Sequence, residues 1–387
     1  MAWQEELKRN VTTVEELSTY LDMEEEEKRC LEEVVSRHPM SITRYYLSLM
    51  DREDPHDPIR RMAVPSLEEL DLSGSYDTSG ELENVKVWGL QHKYSQTALV
   101  LATNQCAVYC RFCFRKRLVG LPTREVTRRL GDVVGYVKAH REITNVLVSG
   151  GDPLILPTGL LEGFLKELSG VDHLRYIRIG SRIPATFPQR ILDDPSLLEV
   201  LDRFVRGGKR LYVVTHFNHP RELTPEAGEA VERLMRAGVV VNNQAVLLKG
   251  VNDHPSTLAA LMGGLVEKGV VPYYLFQCRP VKRVKTAFQV DLEEGYWVVE
   301  EAKRRLDGLA KRFRYVMSHR TGKVEIVGIH GNYIYFKYHQ AVNPSHGGLF
   351  FRRRLRPGAA WLDDLEGFGG RSFSRRSSPA PSIPCVG

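Results

Sequence analysis

No stretch of this 387-residue chain approaches the ~18 consecutive apolar residues that a membrane-spanning helix needs, so no membrane partner is expected. The opening residues MAWQEELKRN also lack the apolar segment of a secretory signal, which makes the cytoplasm the expected location. Cysteine is scarce: six in all, too unevenly placed for the disulfide framework of a small secreted domain. No internal repeat is visible. The net charge is only +6, gathered in local runs such as RFCFRKR, KRVK at 282–285 and FFRRRLR at 350–356. No recognised nucleic-acid motif accompanies these runs, so nucleic acid is not an expected partner.

What the chain does have is a globular composition, 42% hydrophobic, enough for one large α/β domain with additions. Three of its cysteines, Cys106, Cys110 and Cys113, crowd into NQCAVYCRFCFRKR directly after the apolar run 98–103. Cys30, Cys278 and Cys385 are scattered and read as core or incidental thiols. Three thiols cannot close tetrahedrally on one zinc. They can hold three irons of a [4Fe-4S] cluster and leave the fourth iron open. Three structural thiols are the bland alternative, yet thiols seldom crowd a loop without a reason. The C-x-x-x-C-x-x-C spacing, with Tyr109 and Phe112 before the second and third Cys, resembles the radical S-adenosylmethionine (SAM) enzymes. That resemblance implies SAM on the open iron and a reducing compartment.

The pattern along the chain changes near residue 90. The first ninety residues read as helical and polar, with Thr13 and Glu16 in capping-box spacing and MEEEEKRCLEEVV as a solvated helix face. From residue 98, strands are expected at 98–103, 145–149, 174–180, 210–217, 239–248 and 271–278. Helices are expected between them, including 124–139 with Val126, Leu130, Val134 and Val137 on one face. Another is expected at 225–237, capped by Thr224, started by Pro225 and stopped at Gly238. Alternation of this kind implies right-handed crossovers and a parallel sheet. Six strands are too few for an eight-stranded barrel, so the expected fold class is α/β, a partial (β/α)6 TIM-like barrel with its site at the carboxyl ends of the strands. A helix is expected from Gly295 to about Phe313, then strands and turns. The boundaries so read are 1–90 helical, 91–290 barrel, 291–367 a C-terminal α+β extension and 368–387 a disordered polar tail.

The second strand ends in Ser149-Gly150-Gly151-Asp152. Glycines there let backbone approach a ligand, and the carboxylate can accept from an ammonium. One strand after a cysteine loop, this is the radical-SAM pattern for binding the amino group of SAM. His216 and Gln244, at the ends of the fourth and fifth strands, are polar candidates for the same ligand. A satisfied buried histidine is the alternative for His216.

Six segments together, QHKYSQTALVLATNQCAVYCRFCFRKR, NVLVSGGDPL, RIGSRIPATFPQRI, VTHFNHPRELT, NNQAVLLKGVND and PYYLFQC, resemble the lysine 2,3-aminomutase family over roughly residues 50–330. The resemblance implies a third cofactor, pyridoxal 5′-phosphate (PLP), and an amino acid whose α-amino group moves to the β-carbon. It also implies a reducing electron donor of the flavodoxin or ferredoxin type, and it is compatible with a homo-oligomer. Lys323 matches the lysine that carries PLP on a flexible Gly-rich loop, although the glycines have become Ser318-His319-Arg320-Thr321-Gly322. Lys93 and Tyr94 match a basic–aromatic pair near PLP. Thr97 stands where a further basic residue is expected, and Arg320 is a candidate replacement. Arg115 matches the arginine that grips the substrate carboxylate.

Two departures bear on the substrate. Lysine-specific members pair two Asp with the distal ammonium; the first matches Arg279, and the second falls at Val316 or Met317. A cation in place of a carboxylate should repel lysine and attract an acidic side chain. His254 replaces a family zinc ligand. The expected activity is therefore a PLP-dependent 2,3-aminomutase on an acidic or otherwise non-lysine amino acid. The alternatives are lysine 2,3-aminomutase proper, a radical SAM enzyme without PLP, and a non-catalytic iron–sulfur sensor or nucleic-acid binder.

Overall fold

The computed structural model describes residues 2–365. The polar tail expected at 368–387 lies outside the described residues, as does Cys385. Twelve strands form one sheet in strictly sequential order. They are β1 Val85–Val87, β2 Leu90–Tyr94, β3 Thr97–Thr103, β4 Asn145–Gly150, β5 Tyr176–Gly180 and β6 Arg210–Thr215, then β7 Val240–Leu247, β8 Val271–Gln277, β9 Arg314–His319, β10 Gly322–His330, β11 Tyr333–Ala341 and β12 Phe350–Arg354. Every neighbour from β3 to β9 is parallel. β1–β3 and β9–β12 run antiparallel at the two ends.

The order never reverses, so successive crossovers advance in one direction and their helices gather on one face. Those helices span Leu130–Ala139, Thr158–Ser169, Pro195–Arg206, Pro225–Arg236, Pro255–Glu267 and Leu292–Arg304. Strand residues alternate accordingly. Val146, Val148, Ile177, Ile179, Leu211 and Val213 join Val133, Leu161, Leu165, Leu201, Val231 and Leu261 in one apolar core. The opposite face, with Asn145, Leu147, Ser149, Tyr176, Arg178 and Gln244, lines a cavity. This is an open barrel with a seventh parallel strand, β9, beyond the six that the apolar runs announce.

Three expectations need correction. The segment 124–129 is not helical, because Thr127 is tied to β3: its backbone N–H donates to the Leu101 carbonyl at 2.8 Å and its hydroxyl to the Gly89 carbonyl at 3.3 Å. Val126 therefore packs beside Leu101 and Leu118 while the helix starts at Leu130. The helix expected to reach Phe313 ends at Arg304, and Asp307 turns the chain by accepting from the N–H groups of Leu309 and Ala310. The first ninety residues are not all helical, since Val85–Val87 and part of β2 fall within them. The caps read from sequence do form: Thr13 accepts from Glu16 N–H, and Thr224 from Ala227 N–H. His254 caps the helix that begins at Pro255 by accepting from Ser256 N–H.

The N-terminal segments build a second core from Val11, Leu17, Ile42, Tyr46 and Met62 against Val108, Phe112, Cys278 and Phe288. They hold the cysteine loop directly, through Tyr109 N–H to the Ser41 carbonyl and Arg111 N–H to the Met62 carbonyl, both 2.9 Å. No described helix is long and apolar enough to cross a membrane.

Candidate functional site

The carboxyl ends of the parallel strands open into a cavity of about 640 Å³. It collects the three cysteines, Ser149 to Asp152, His216, Gln244, Lys93, Tyr94, Arg115, Arg279 and Lys323, and of the residues expected from the sequence it leaves out the candidate Arg320. A cavity of this size takes a cofactor and a small substrate together.

The cysteine loop and the glycine pair are locked to each other. Gly151 N–H donates to the Thr103 carbonyl at 2.6 Å and Asp152 N–H to the Gln105 carbonyl at 2.8 Å. A Cβ on Gly150, whose φ is +117°, would lie 2.3 Å from the Thr103 oxygen, and one on Gly151 would lie 2.2 Å from the Gln105 oxygen. The close approach that demands glycine is thus made by the cysteine loop itself. Burial pushes the Cys106 thiol up and the Cys113 thiol to about 11. Among the described residues no three Cys, His, Asp or Glu side chains converge on a point that would hold a single ion. Three thiolates are the donor set of a cluster that takes one from each of three irons.

The polar groups beside the loop have distinct states. Asp152 is buried; its oxygens accept from Leu154 N–H at 3.0 Å and Arg182 N–H at 2.6 Å, and burial raises its carboxyl to about 6. His216 packs edge-on against Phe112 at 5.6 Å, its Nε2 buried and without a partner. Burial, reinforced by Arg182, lowers its imidazole to about 3, so the ring is neutral. An orphaned ring nitrogen facing a cavity is what an absent polar ligand leaves behind.

Lys323 occupies the second position of β10, after the turn that joins it to β9. The expected flexible loop is a short β-hairpin, because Lys323 pairs with Ser318 on one side and Gln340 on the other. The Lys323 amine lies 4.1 Å from the centroid of Tyr274. Burial, then Arg178, Arg279 and Lys93, bring it down to about 7. Lys93 donates to the Ser79 and His319 carbonyls at 2.9 and 2.7 Å, and burial lowers it to about 8. The Tyr94 hydroxyl is buried and without a partner.

Arg320 does not replace the missing cation at Thr97. It is exposed, pairs with Glu83 at 3.3 Å and points away from the cavity lining. Arg178, from β5, bonds Asn145 Oδ1 at 2.7 Å, the oxygen that Thr97 reaches at 3.3 Å, and its Nε is buried without a partner. A charged residue alternating with Ile177 and Ile179 places Arg178 on the strand face opposite the apolar core, which is the signal that could have found it.

Glu81 has no such signal. It sits in a short strap, residues 77–84, that crosses three cations of the cavity. Its carboxylate accepts from Arg115 Nη2 at 2.9 Å and from Arg117 Nη2 at 2.9 Å. Ser79 in the same strap accepts from Arg279 Nη1 at 2.9 Å through its hydroxyl and from Lys93 through its carbonyl. Burial would raise the Glu81 carboxyl, but Arg115, Arg117 and Arg279 overcome it and hold it at about 2. Phe114 lies between the guanidinium groups of Arg115 and Arg279, 4.6 and 4.1 Å from its centroid. Val316 and Met317 are fully buried, and Ser318 is the β9 residue that lines the cavity. The lining carries six basic side chains, Lys93, Arg115, Arg178, Arg182, Arg279 and Lys323, against two acidic ones, Glu81 and Asp152.

Residues 100–261 match the radical SAM superfamily. The chain is 47% identical over 344 residues to a putative L-lysine 2,3-aminomutase of Aquifex aeolicus, covering 89% of this chain and 92% of that protein. It is 41% identical over 283 residues to the L-lysine 2,3-aminomutase of Acetoanaerobium sticklandii, covering 71% and 66%. With the glutamate 2,3-aminomutase of Clostridioides difficile it shares 36% over 310 residues, covering 80% and 71%.

Proposed function

Because the chain belongs to the lysine 2,3-aminomutase family of radical SAM enzymes, and so to the isomerases that use SAM and a [4Fe-4S] cluster, we propose that it moves the α-amino group of a non-lysine amino acid to the β-carbon with PLP as a further cofactor. The observation that carries the PLP reading is Lys323. Its amine faces the cavity, and burial brings it down to about 7, so the neutral form able to attack an aldehyde is well populated near that pH.

Cys106, Cys110 and Cys113 would hold the cluster, with Ser149 to Asp152, His216 and Gln244 around SAM. Lys323 would hold PLP, with Lys93, Tyr94 and Arg178 beside it. When bound, SAM on the reduced cluster supplies a hydrogen-abstracting radical, and PLP supplies the carrier for the migrating nitrogen. The protein's own part is to orient and to exclude water. Tyr274 fixes the Lys323 amine by its ring face, and the strap closes over Arg115 and Arg279.

The substrate reading rests on charge. Arg279 stands on the Phe114 ring with no carboxylate bonded to it among the described residues, in a lining where cations outnumber carboxylates five to two even with the Lys323 amine neutral. A lysine side chain would enter against that field, and an acidic or neutral one would not. A radical SAM enzyme without PLP is the second reading, favoured by Thr97 and by the tight hairpin at Lys323. Visible absorbance of protein reconstituted with PLP separates the two. The band of lysine-bound PLP is expected in the natural chain and absent from Lys323→Ala; a band that survives the substitution refutes the assignment. Anaerobic incubation with an amino-acid mixture and a search for β-isomers identifies the substrate.

A further inference from the structure

Arg182 follows β5 by two residues and is 8% exposed. Its guanidinium donates in three directions. Nε reaches the His216 carbonyl at 3.1 Å, Nη1 reaches Cys110 Sγ at 2.9 Å, and Nη2 reaches Glu222 Oε1 at 2.5 Å and the Tyr46 hydroxyl at 2.9 Å. Its centre also lies 5.2 Å from the Phe112 ring centroid, one residue before the third cysteine. Its backbone N–H holds Asp152. One buried residue therefore touches a cysteine of the loop and the carbonyl of His216 through its guanidinium, and the carboxylate after the glycine pair through its backbone N–H.

Glu222 does not cancel this charge at the sulfur. Its carboxylate is shared among Arg182, the Tyr46 hydroxyl at 2.8 Å and the N–H groups of Asn218 and His219 at 2.6 and 3.0 Å. Carboxylate and sulfur also meet different nitrogens of the guanidinium, Nη2 and Nη1.

We propose that Arg182 is a positioning residue that sets the reduction potential of the iron–sulfur cluster through its hydrogen bond to Cys110. This rests on the reading that Cys106, Cys110 and Cys113 hold that cluster. Reduction transfers one electron from a donor of the ferredoxin or flavodoxin class, breaks no bond, and makes the cluster more negative by one unit. A buried guanidinium in contact with one sulfur stabilises the more negative state more than the less negative one, and so raises the potential. The neighbouring Glu222 carboxylate has the opposite sign and lowers it.

The test is an anaerobic redox titration of the reconstituted enzyme, followed by the electron paramagnetic resonance signal of the reduced cluster, with iron content measured on each sample. Arg182→Gln combined with Glu222→Gln leaves no unpaired buried charge. It should shift the reduction equilibrium about tenfold toward the oxidised form, about 59 mV more negative for one electron. Glu222→Gln alone should move the potential in the positive direction. Arg182→Lys keeps the charge and should fall between the natural chain and the double variant. Unmoved potentials at full iron content overturn the proposal. So do shifts of one sign in all variants, the result of a site that has merely loosened. If the double variant does not fold, the sign for Glu222→Gln decides. A natural chain that holds no iron removes the cluster reading and this proposal with it; a full cluster with an unmoved potential removes this proposal alone.

Discussion

Arg115 Nη2 lies 2.9 Å from Glu81 Oε1, and Nε of the same guanidinium lies 3.1 Å from that oxygen. Nη1 is also engaged, by Ser149 Oγ at 3.2 Å and the Gly150 carbonyl at 3.3 Å. The arginine expected to grip a substrate carboxylate thus already grips one of the protein's own. Replacing Glu81 by Gln should cost about 3 kcal/mol, the lower range for breaking a buried ion pair, because Arg115 and Arg117 keep their charges. It should also raise the preference for dicarboxylic over monocarboxylic amino acids. Urea unfolding and a competition assay between glutamate and an uncharged amino acid measure the two effects; a preference that does not move separates Glu81 from substrate selection.

Arg279 is the second lever. Its positive charge rests on Phe114 and Ser79, and Arg279→Asp reverses it. The ratio of kcat/KM for glutamate to that for lysine should fall at least tenfold, about 1.4 kcal/mol. An unchanged ratio removes the charge argument for the substrate.

Lys323 carries a pH dependence. Burial, then the nearby cations, hold its amine at about 7, far below the usual lysine range. The depression means the folded chain releases this proton early, so the neutral amine is present above pH 7 and lost as pH falls through that value. PLP capture, followed by stopped-flow absorbance, should rise with pH and level off just above 7. A rise that continues toward pH 10 would show that the amine is not shielded from water.

Gly151 links two segments with no room between them. Gly151→Ala would place a Cβ 2.2 Å from the Gln105 carbonyl, against backbone that cannot give way cheaply. The cysteine loop should be displaced, with a loss of about 2 kcal/mol or more in stability and reduced iron content after reconstitution. Full iron content in the variant would mean that the loop tolerates the shift.

The barrel strands are legible in the sequence because each is an apolar run of five to ten residues bounded by turn signals, and Thr224-Pro225 with Gly238 marks a whole helix. The seventh is legible as a strand but not as part of the parallel barrel, since RYVMSH belongs equally well to a parallel or an antiparallel partner and only the sheet decides. Cys106 to Cys113 and the SGGD turn are legible because their spacing is local. Glu81 is not, because its meeting with Arg115 spans a sequence separation of 34 and leaves no periodic trace. Arg182 stands within the segment RIGSRIPATFPQRI, but nothing local says that its guanidinium ends on a sulfur.

The strap at 77–84 touches Lys93 of β2, Arg115 of the cysteine loop and Arg279 beyond β8. These three cations come from distant parts of the chain, yet a single short peptide meets them all. A change in that peptide would reach all three cations at once, and through Arg115 also Ser149 and Gly150. Grafting the strap between related enzymes is accordingly a compact route to new β-amino acids, and its eight residues are a natural unit for a combinatorial library.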